Sequence, residues 1–503
     1  MKFTGKTAAL HTLGCKVNEY ETDAMRACLE HAGFSIVDFR QKADVYVINT
    51  CSVTNIADRK SRQMISRARK MNPDAVLVAA GCYVQTALDK TGKTVDADIL
   101  LGSGRKSRLV EELERYFAAM ERAQCDPDNP PLASPDPSVT GGLRASQKRN
   151  LSDGIHDPEY EALSVPRIEG HTRAWIKVQD GCNMFCSYCI IPYARGRIRS
   201  RRIEDVLREL ENLSAQGIRE VVLTGIHLSS YGVDMHPGGL SGEDGLMWQE
   251  RSKLIDLIEA VSQIGGITRV RLGSLEPTII TEETVSRLSR IPQVCPHFHL
   301  SLQSGCDSVL KRMNRHYTTR DYKKSLDLLR AAYDNPAITT DVIVGFPGET
   351  QEEFDSTRGF LEEIQLYETH LFRYSMRAGT RAARMPDQIP ESVKEERLSA
   401  LSAVDRKMRE RFEQSWDGRE VEALFEETAQ IGENGTVCSP NSDRSGHLAA
   451  DLIPKMGEGE KLYTGYTREY IRVYAPSAED LRGRIVKGTL NGAVIRPSAS
   501  VRQ

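Results

Sequence analysis

GCNMFCSYCIIPYARGRIRSRR, residues 181–202, places Cys182, Cys186 and Cys189 in a C-x3-C-x2-C spacing directly behind a strand expected over 174–179. Three thiolates on one tight loop can hold three irons of a [4Fe–4S] cube. The fourth iron then lacks a protein ligand and is open to a small chelator, for which the amino and carboxylate groups of S-adenosylmethionine are suited. One-electron reduction of such a cluster breaks the sulfonium bond and releases a 5′-deoxyadenosyl radical. The competing reading is a zinc knuckle. Zinc prefers four ligands, and the nearest downstream histidine is His227. Phe185 and Tyr188 inside the loop fit a shielded cluster.

Working outward, strand-like and helix-like segments alternate from about residue 170 to 395. Strands are expected at 174–179, 220–223, 269–272, 297–302, 340–344 and 370–374. Helices are expected at 203–216, 252–264, 281–289, 319–333 and 351–364. Such repeats with right-handed crossovers predict a partial (β/α)6 barrel. Barrels carry their sites at strand carboxyl ends, and these ends are polar or glycine-bearing. Thr224, Gly225, Ser274, Glu276, Ser301, Gln303, Asp341 and Gly345 are the candidate cofactor contacts. A glutamate there can receive an ammonium group, and Asp341 and Gln303 can meet hydroxyls or substrate. Ordinary loop capping is the alternative for each, and GFPGET can equally open a helix.

Residues 1–117 alternate in the same way, which predicts a parallel sheet. Cys15, Cys51 and Cys82 each follow a predicted strand (7–13, 44–49 and 75–80). The strand ends of a parallel sheet share one edge, so the three thiols should converge as a second three-thiolate set. Three buried structural cysteines are the bland reading. An odd total of 11 cysteines argues against a disulfide framework.

Residues 118–167 are rich in Pro, Asp, Ser and Gly and read as a linker or insertion. The barrel segment, 168–398, is followed by a connecting helix at 399–414. Short strands with glycine turns over 415–487 predict a small OB-like β-barrel, and 488–503 form a tail. The formal net charge of −3 excludes a bulk polycation, so nucleic acid must be met by local patches. Arg195, Arg197, Arg199, Arg201 and Arg202 form one candidate. Arg468 and Arg472, with Tyr463, Tyr466 and Tyr470, form another. The alternatives are a charge run paired with acidic helices and aromatics that fill the small barrel's own core. No apolar run reaches the ~20 residues of a membrane span, and Met1 to Gly14 lack a secretory pattern. A soluble, cytoplasmic monomer is expected.

The CxxxCxxC loop with an aromatic before its last cysteine resembles the radical S-adenosylmethionine superfamily, and IIPYARGRIRSRR resembles its methylthiotransferase family. GCKVNEYET and NTCSVT resemble that family's N-terminal domain. GYTREYIRV and GRIVKG resemble the RNA-binding TRAM domain. The resemblance implies two [4Fe–4S] clusters, the auxiliary one on Cys15, Cys51 and Cys82 handling sulfur, together with S-adenosylmethionine. It implies a tRNA substrate, a sulfur donor, and an electron donor such as flavodoxin or ferredoxin. The branch most resembled converts N6-threonylcarbamoyladenosine at position 37, beside the anticodon, to its 2-methylthio form. Lys16 follows the first cysteine here, where the isopentenyl-adenosine branch usually has Gln. The alternatives are methylthiolation of isopentenyl-adenosine tRNA or of a ribosomal-protein aspartate and, from another class, a non-catalytic iron–sulfur sensor that binds RNA.

Overall fold

The computed structural model describes residues 2–90, 95–125, 159–166, 172–236, 248–431, 437–438 and 456–497. The N-terminal sheet contains β1 (Thr7–Thr12), β2 (Ser35–Ile36), β3 (Val45–Thr50), β4 (Val76–Gly81) and β5 (Ile99–Leu101), ordered β2-β1-β3-β4-β5. All pairings are parallel. Every residue of β3 and β4 is buried, as expected of a parallel strand covered on both faces. Ala8, Leu10, Val45, Val47, Val76 and Val78 pack into one core, and Ala9, Tyr46, Ile48, Leu77 and Ala79 into the other. Helix Lys16–Ala32 stops at Gly33, whose φ of 106° provides the left-handed cap. Helix Asn55–Met71 starts where the Thr54 hydroxyl accepts the Ala57 N–H.

The second unit is built on β6 (Arg173–Asp180), β7 (Arg199–Ser200), β8 (Glu220–Gly225), β9 (Arg269–Leu272), β10 (His297–His299), β11 (Ala337–Val344) and β12 (Glu368–Arg373). β6, β8 and β9 pair in parallel, as do β10, β11 and β12. Parallel bridges Val270–Val294 and Leu275–Leu300 join the halves. The expected six-stranded partial barrel is therefore present, with β7 an antiparallel flap on β6. β10 is shorter than the predicted 297–302. The regular ladder stops after His299, although Leu300 and Gln303 still bond to β11, Gln303 with a φ of 68°.

Alternation along these strands determines what fills the lumen. Ala174, Ile176, Val178, Val221, Leu223, Phe298, Leu300, Ile338 and Val342 pack outward in one apolar core with the helices. Their neighbours of opposite parity turn inward. The inner wall is therefore polar, with Lys177, Glu220, Arg271, His297, His299, Asp341 and His370 among its residues.

Helix Glu391–Gln414 leads to β13 (Glu420–Thr428), β14 (Gln430–Ile431), β15 (Val437–Cys438), β16 (Lys461–Thr467), β17 (Arg472–Ser477), β18 (Ile485–Asn491) and β19 (Val494–Pro497). The expected small barrel is closed in the order β13-β16-β17-β19-β18. It runs through Pro497, past the expected boundary at 487. The predicted insertion lies largely outside the described residues. No helix among the described residues is long and apolar enough to cross a membrane.

The β16–β17 turn caps the amino-terminal mouth of the large barrel. Arg271 donates to the Arg468 carbonyl at 2.7 Å and Arg269 to the Tyr466 carbonyl at 3.2 Å. Tyr466 stacks on Tyr470 at 4.6 Å, and His297 stacks on Tyr470 at 4.9 Å. Arg468 donates to the Val294 carbonyl at 2.9 Å, and Arg472 to the Tyr466 hydroxyl at 2.7 Å. Arg468, expected at an RNA surface, therefore helps hold the two barrels together, Arg472, expected there too, is half-buried against Tyr466 within the small barrel, and Tyr463 fills that barrel's core.

Glu220 anchors this seam between Arg173, Arg269 and Arg271. Burial pushes its carboxyl up, but the three guanidinium groups outweigh burial and hold it at about 2. Its contribution to stability is complete above the ordinary carboxylate range and is lost as pH falls toward 2. Glu220→Gln removes the carboxylate from three buried cations, so urea unfolding at neutral pH should show a loss of about 3–5 kcal/mol. The wild-type advantage should shrink in acid.

Candidate functional site

At the carboxyl end of β6 the chain turns through Gly181 (φ 71°), where a Cβ would lie 1.7 Å from the Arg197 carbonyl oxygen. Only glycine lets the loop close onto the strand that follows it. Cys182 N–H donates to the Gly196 carbonyl and Cys189 N–H to that of Cys186. This folds the three thiols together. The Met184 and Ile191 amides point at Cys182 Sγ (3.5 Å) and Cys189 Sγ (3.4 Å). Burial first, then the neighbouring thiols, raises Cys182 well above its usual range and pushes Cys189 up to about 12. A protein cavity does not hold three such thiolates on its own, whereas a polynuclear iron centre supplies the compensating positive charge.

Arg315 donates to Cys186 Sγ at 3.2 Å and to Glu276 Oε2 at 2.7 Å. Sequence reasoning missed this residue, because MNRHYTTR has no recognised spacing and reaches the cluster loop only through the fold. Asn314 donates to the Met184 and Phe185 carbonyls at 3.3 Å each, which orients the same segment. Glu276 is buried, and its Oε1 has no hydrogen-bond partner among the described residues. A buried carboxylate oxygen requires a donor, and beside an open cluster vertex a cofactor ammonium fits that need.

Cys15, Cys51 and Cys82 behave as their positions predict. Cys15 follows β1 at the start of helix Lys16–Ala32, Cys51 follows β3, and Cys82 follows β4. These strands are neighbours, so the thiols share one edge. A Cβ on Gly14 would lie 2.8 Å from Cys51 Sγ, which shows how closely the first loop approaches the second. Burial, then Cys82 and Cys15, pushes Cys51 up to about 12.

A buried charge network joins the two thiol sets. Arg195, six residues after Cys189, donates to Glu21 (2.8 Å), Asp180 (3.1 Å) and Asn18 (2.7 Å). Lys177 bonds Glu21 at 2.7 Å and Asp180 at 2.6 Å, and Lys106 bonds Glu21 at 2.8 Å. Burial alone would lower the pKa of Arg195; Cys82, Glu21 and Asp180 instead hold it well above its usual value. Arg199 donates to the Arg195 carbonyl at 2.5 Å, and Arg201 pairs with Glu209 and the Tyr20 hydroxyl. This corrects the expected RNA patch. Arg195, Arg199 and Arg201 are buried with partners at the interface, and of this run's arginines only Arg197 and Arg202 remain exposed.

The strand-end candidates occupy one rim but differ in surroundings. Thr224 and Gly225 end β8, with Gly225 against Gln179. Ser274 is exposed, Ser301 half-buried, and Gln303 buried in its left-handed conformation. Gly345 is covered by the Lys394 side chain, and its N–H donates to Glu349, which pairs with Arg397. That loop is therefore tied to the long C-terminal helix rather than left open to a ligand. Asp341 stands within β11, deeper than the rim, against His299.

Residues 176–361 match the radical SAM superfamily, and residues 7–102 match an uncharacterised family designated UPF0004. A threonylcarbamoyladenosine tRNA methylthiotransferase, MtaB, of Bacillus subtilis (strain 168) is 38% identical over 96% of this chain and 93% of its own length. The MtaB of Aquifex aeolicus (strain VF5) is 36% identical over 85% and 94%. A tRNA-2-methylthio-N(6)-dimethylallyladenosine synthase of Opitutus terrae is 33% identical over 80% and 83%. Among solved structures, the radical S-adenosylmethionine methyltransferase TsrM of Kitasatospora setae aligns with a TM-score of 0.49 at 17% identity, covering 73% of each chain.

Arg195→Met leaves Asn18, Glu21 and Asp180 without their shared donor. Chemical denaturation should show a loss of about 3 kcal/mol or more. Arg195→Lys should recover only part of it, because an ammonium lacks the planar fork that reaches all three groups.

Proposed function

Because the chain belongs to the family of radical S-adenosylmethionine tRNA methylthiotransferases, we propose that it converts N6-threonylcarbamoyladenosine beside the tRNA anticodon to the 2-methylthio nucleoside. The observation that carries this reading is the pair of three-thiol sets built into one interface, one on the barrel rim and one on the N-terminal sheet edge. The relatives named for threonylcarbamoyladenosine support the choice of nucleoside.

Cys182, Cys186 and Cys189 would hold the cluster that binds S-adenosylmethionine, and Cys15, Cys51 and Cys82 the auxiliary one. When bound, these groups would supply a 5′-deoxyadenosyl radical able to take hydrogen from adenine C2 and a sulfur to replace it, with the methyl group coming from a second S-adenosylmethionine. The chain's own residues orient and enclose. Glu276 and Arg315 position the cofactor end of the site. Arg377 donates to Ser52 Oγ and Asn55 Oδ1 at 2.7 Å each and so ties the barrel to the Cys51 loop. The reaction also needs an external electron donor and a sulfur source.

The mouth of the interface suits a base drawn out of an RNA loop. Val53 and Ile56 from the N-terminal unit and Phe372 and Met376 from the barrel are exposed. Asn55 links the two sides by bonds to Ser375 Oγ and the Met376 carbonyl, each 3.1 Å. An apolar rim of this kind can receive an unstacked base. Arg59, Arg62, Arg67 and Lys70 line an open groove along helix Asn55–Met71. With Arg197 and Arg202 they are the cations available to phosphate.

Mass spectrometry of tRNA nucleosides from a deletion strain tests the substrate: the 2-methylthio form of threonylcarbamoyladenosine should vanish, and its persistence refutes the assignment. Anaerobic protein should hold about 8 irons per chain, and each triple Cys→Ser variant about 4. Reversing Arg59, Arg62 and Arg67 to Glu should weaken tRNA binding and flatten its dependence on log salt by about 3.

A further inference from the structure

Three side chains on neighbouring inner-wall positions converge in the barrel lumen outside either thiol set. His299 on β10, Asp341 on β11 and His370 on β12 bring ligand-capable atoms within 4.8 Å of one another. His299 Nε2 lies 3.3 Å from Asp341 Oδ2, and its ring stacks on His370 at 5.5 Å and 15°. His299 Nδ1 is held by Thr339 Oγ1 at 2.9 Å, which fixes the ring. Although it is near Asp341, the buried His299 Nε2 has no aligned hydrogen bond. The two groups therefore form a loose pair that still borders a common space with His370. Lys16 opens the first helix, which packs against β6 and β8 of the same barrel. It is exposed, directly follows Cys15 and forms no ion pair among the described residues. Its charge acts on His297 and Tyr470, both at the barrel's inner wall.

This wall presents donors and acceptors where a site for an apolar group would present carbon. We propose that Lys16, His299, Asp341 and His370 form the pocket that reads the threonylcarbamoyl arm of the substrate, an inference that rests on the function proposed above. The arm carries a carboxylate, a hydroxyl and ureido N–H groups. Lys16 takes the carboxylate, Asp341 accepts from the hydroxyl or a ureido N–H, and the imidazoles bond what remains. A dimethylallyl arm has none of these groups. It would leave Lys16 shielded from water without a counter-charge and Asp341 with His299 alone, the situation in which a polar site discriminates most strongly. Because Lys16 adjoins Cys15, reading the arm also places the adenine ring against the auxiliary thiol set.

The test uses the full chain, reconstituted anaerobically, with anticodon stem-loops carrying threonylcarbamoyladenosine or dimethylallyladenosine. For Lys16→Gln and His370→Phe, kcat/KM on the first substrate should fall about 30-fold or more, mainly through KM. Preference over the dimethylallyl substrate should collapse, and Lys16→Arg should keep part of it. Iron and sulfide content and RNA-independent formation of 5′-deoxyadenosine should stay at wild-type levels, which separates recognition from misfolding. If the wild type acts on threonylcarbamoyladenosine and both variants remain within twofold of it, the pocket is misassigned and the proposed function stands. If the wild type is inactive on that substrate and active on the other, both readings fall. If activity instead depends on a divalent ion that EDTA removes and Mn2+ restores, the three groups are metal ligands and direct recognition is overturned.

Discussion

Arg195 is the constraint on which the rest of the structure depends. A fully buried guanidinium is stable only where carboxylates surround it, and its partners come from both units: Glu21 and Asn18 from the first helix, Asp180 from the end of β6. Its own position is set by the cluster loop, because the short helix Ile191–Arg195 begins two residues after Cys189. The loop that would hold one cluster therefore cannot move relative to the sheet edge that would hold the other. Lys106, Lys177 and Arg199 join the same network, and its cations outnumber Glu21, Glu161 and Asp180. Surplus positive charge next to Cys82 is costly in an apolar interior. It is balanced when the adjoining thiols are ionised and bound in an anionic centre.

The same logic governs the opposite mouth of the barrel. Glu220 with Arg173, Arg269 and Arg271 is a second buried ion group, and its guanidinium groups continue into carbonyls of the β16–β17 turn. The small barrel is thus a stopper as well as an appendage. A lumen closed at the bottom by charge and open at the top between two thiol sets can admit a base from one side only.

Much of this was legible in the sequence, for identifiable reasons. Cys15, Cys51 and Cys82 could be grouped because each follows an apolar strand, and parallel topology then leaves their strand ends no choice of edge. The cluster loop was legible because its three ligands are local. What could not be read was the direction of each arginine. In RGRIRSRR, Arg195, Arg199 and Arg201 turn inward while Arg197 and Arg202 face solvent, a split that follows no period because Arg195 ends a short helix and Arg199 lies on β7. A two-residue antiparallel flap leaves almost no signature in composition. Arg468 was misread for a related reason: a basic turn on a small barrel looks like an RNA surface until its partner, the mouth of another barrel, is known. Arg315 and Arg377 lacked any motif, and their meaning arises from contacts distant in the chain, to Cys186 and Glu276 for the first and to Ser52 and Asn55 for the second.

The polarity of the lumen follows from where the buried charge lies. Outward-facing strand residues satisfy the apolar core, so inward-facing ones are free to be chosen for what enters. At the bottom that freedom is used to lock the stopper. In the middle His299 is held by Thr339 of the adjoining strand, stacks on His370 and pairs with Asp341. Side chains pinned from behind with functional atoms forward lose little entropy when they bind. A polar wall so arranged at the exit of two reactive sites favours a ligand that brings its own hydrogen-bonding groups, and it disfavours one that can offer only carbon.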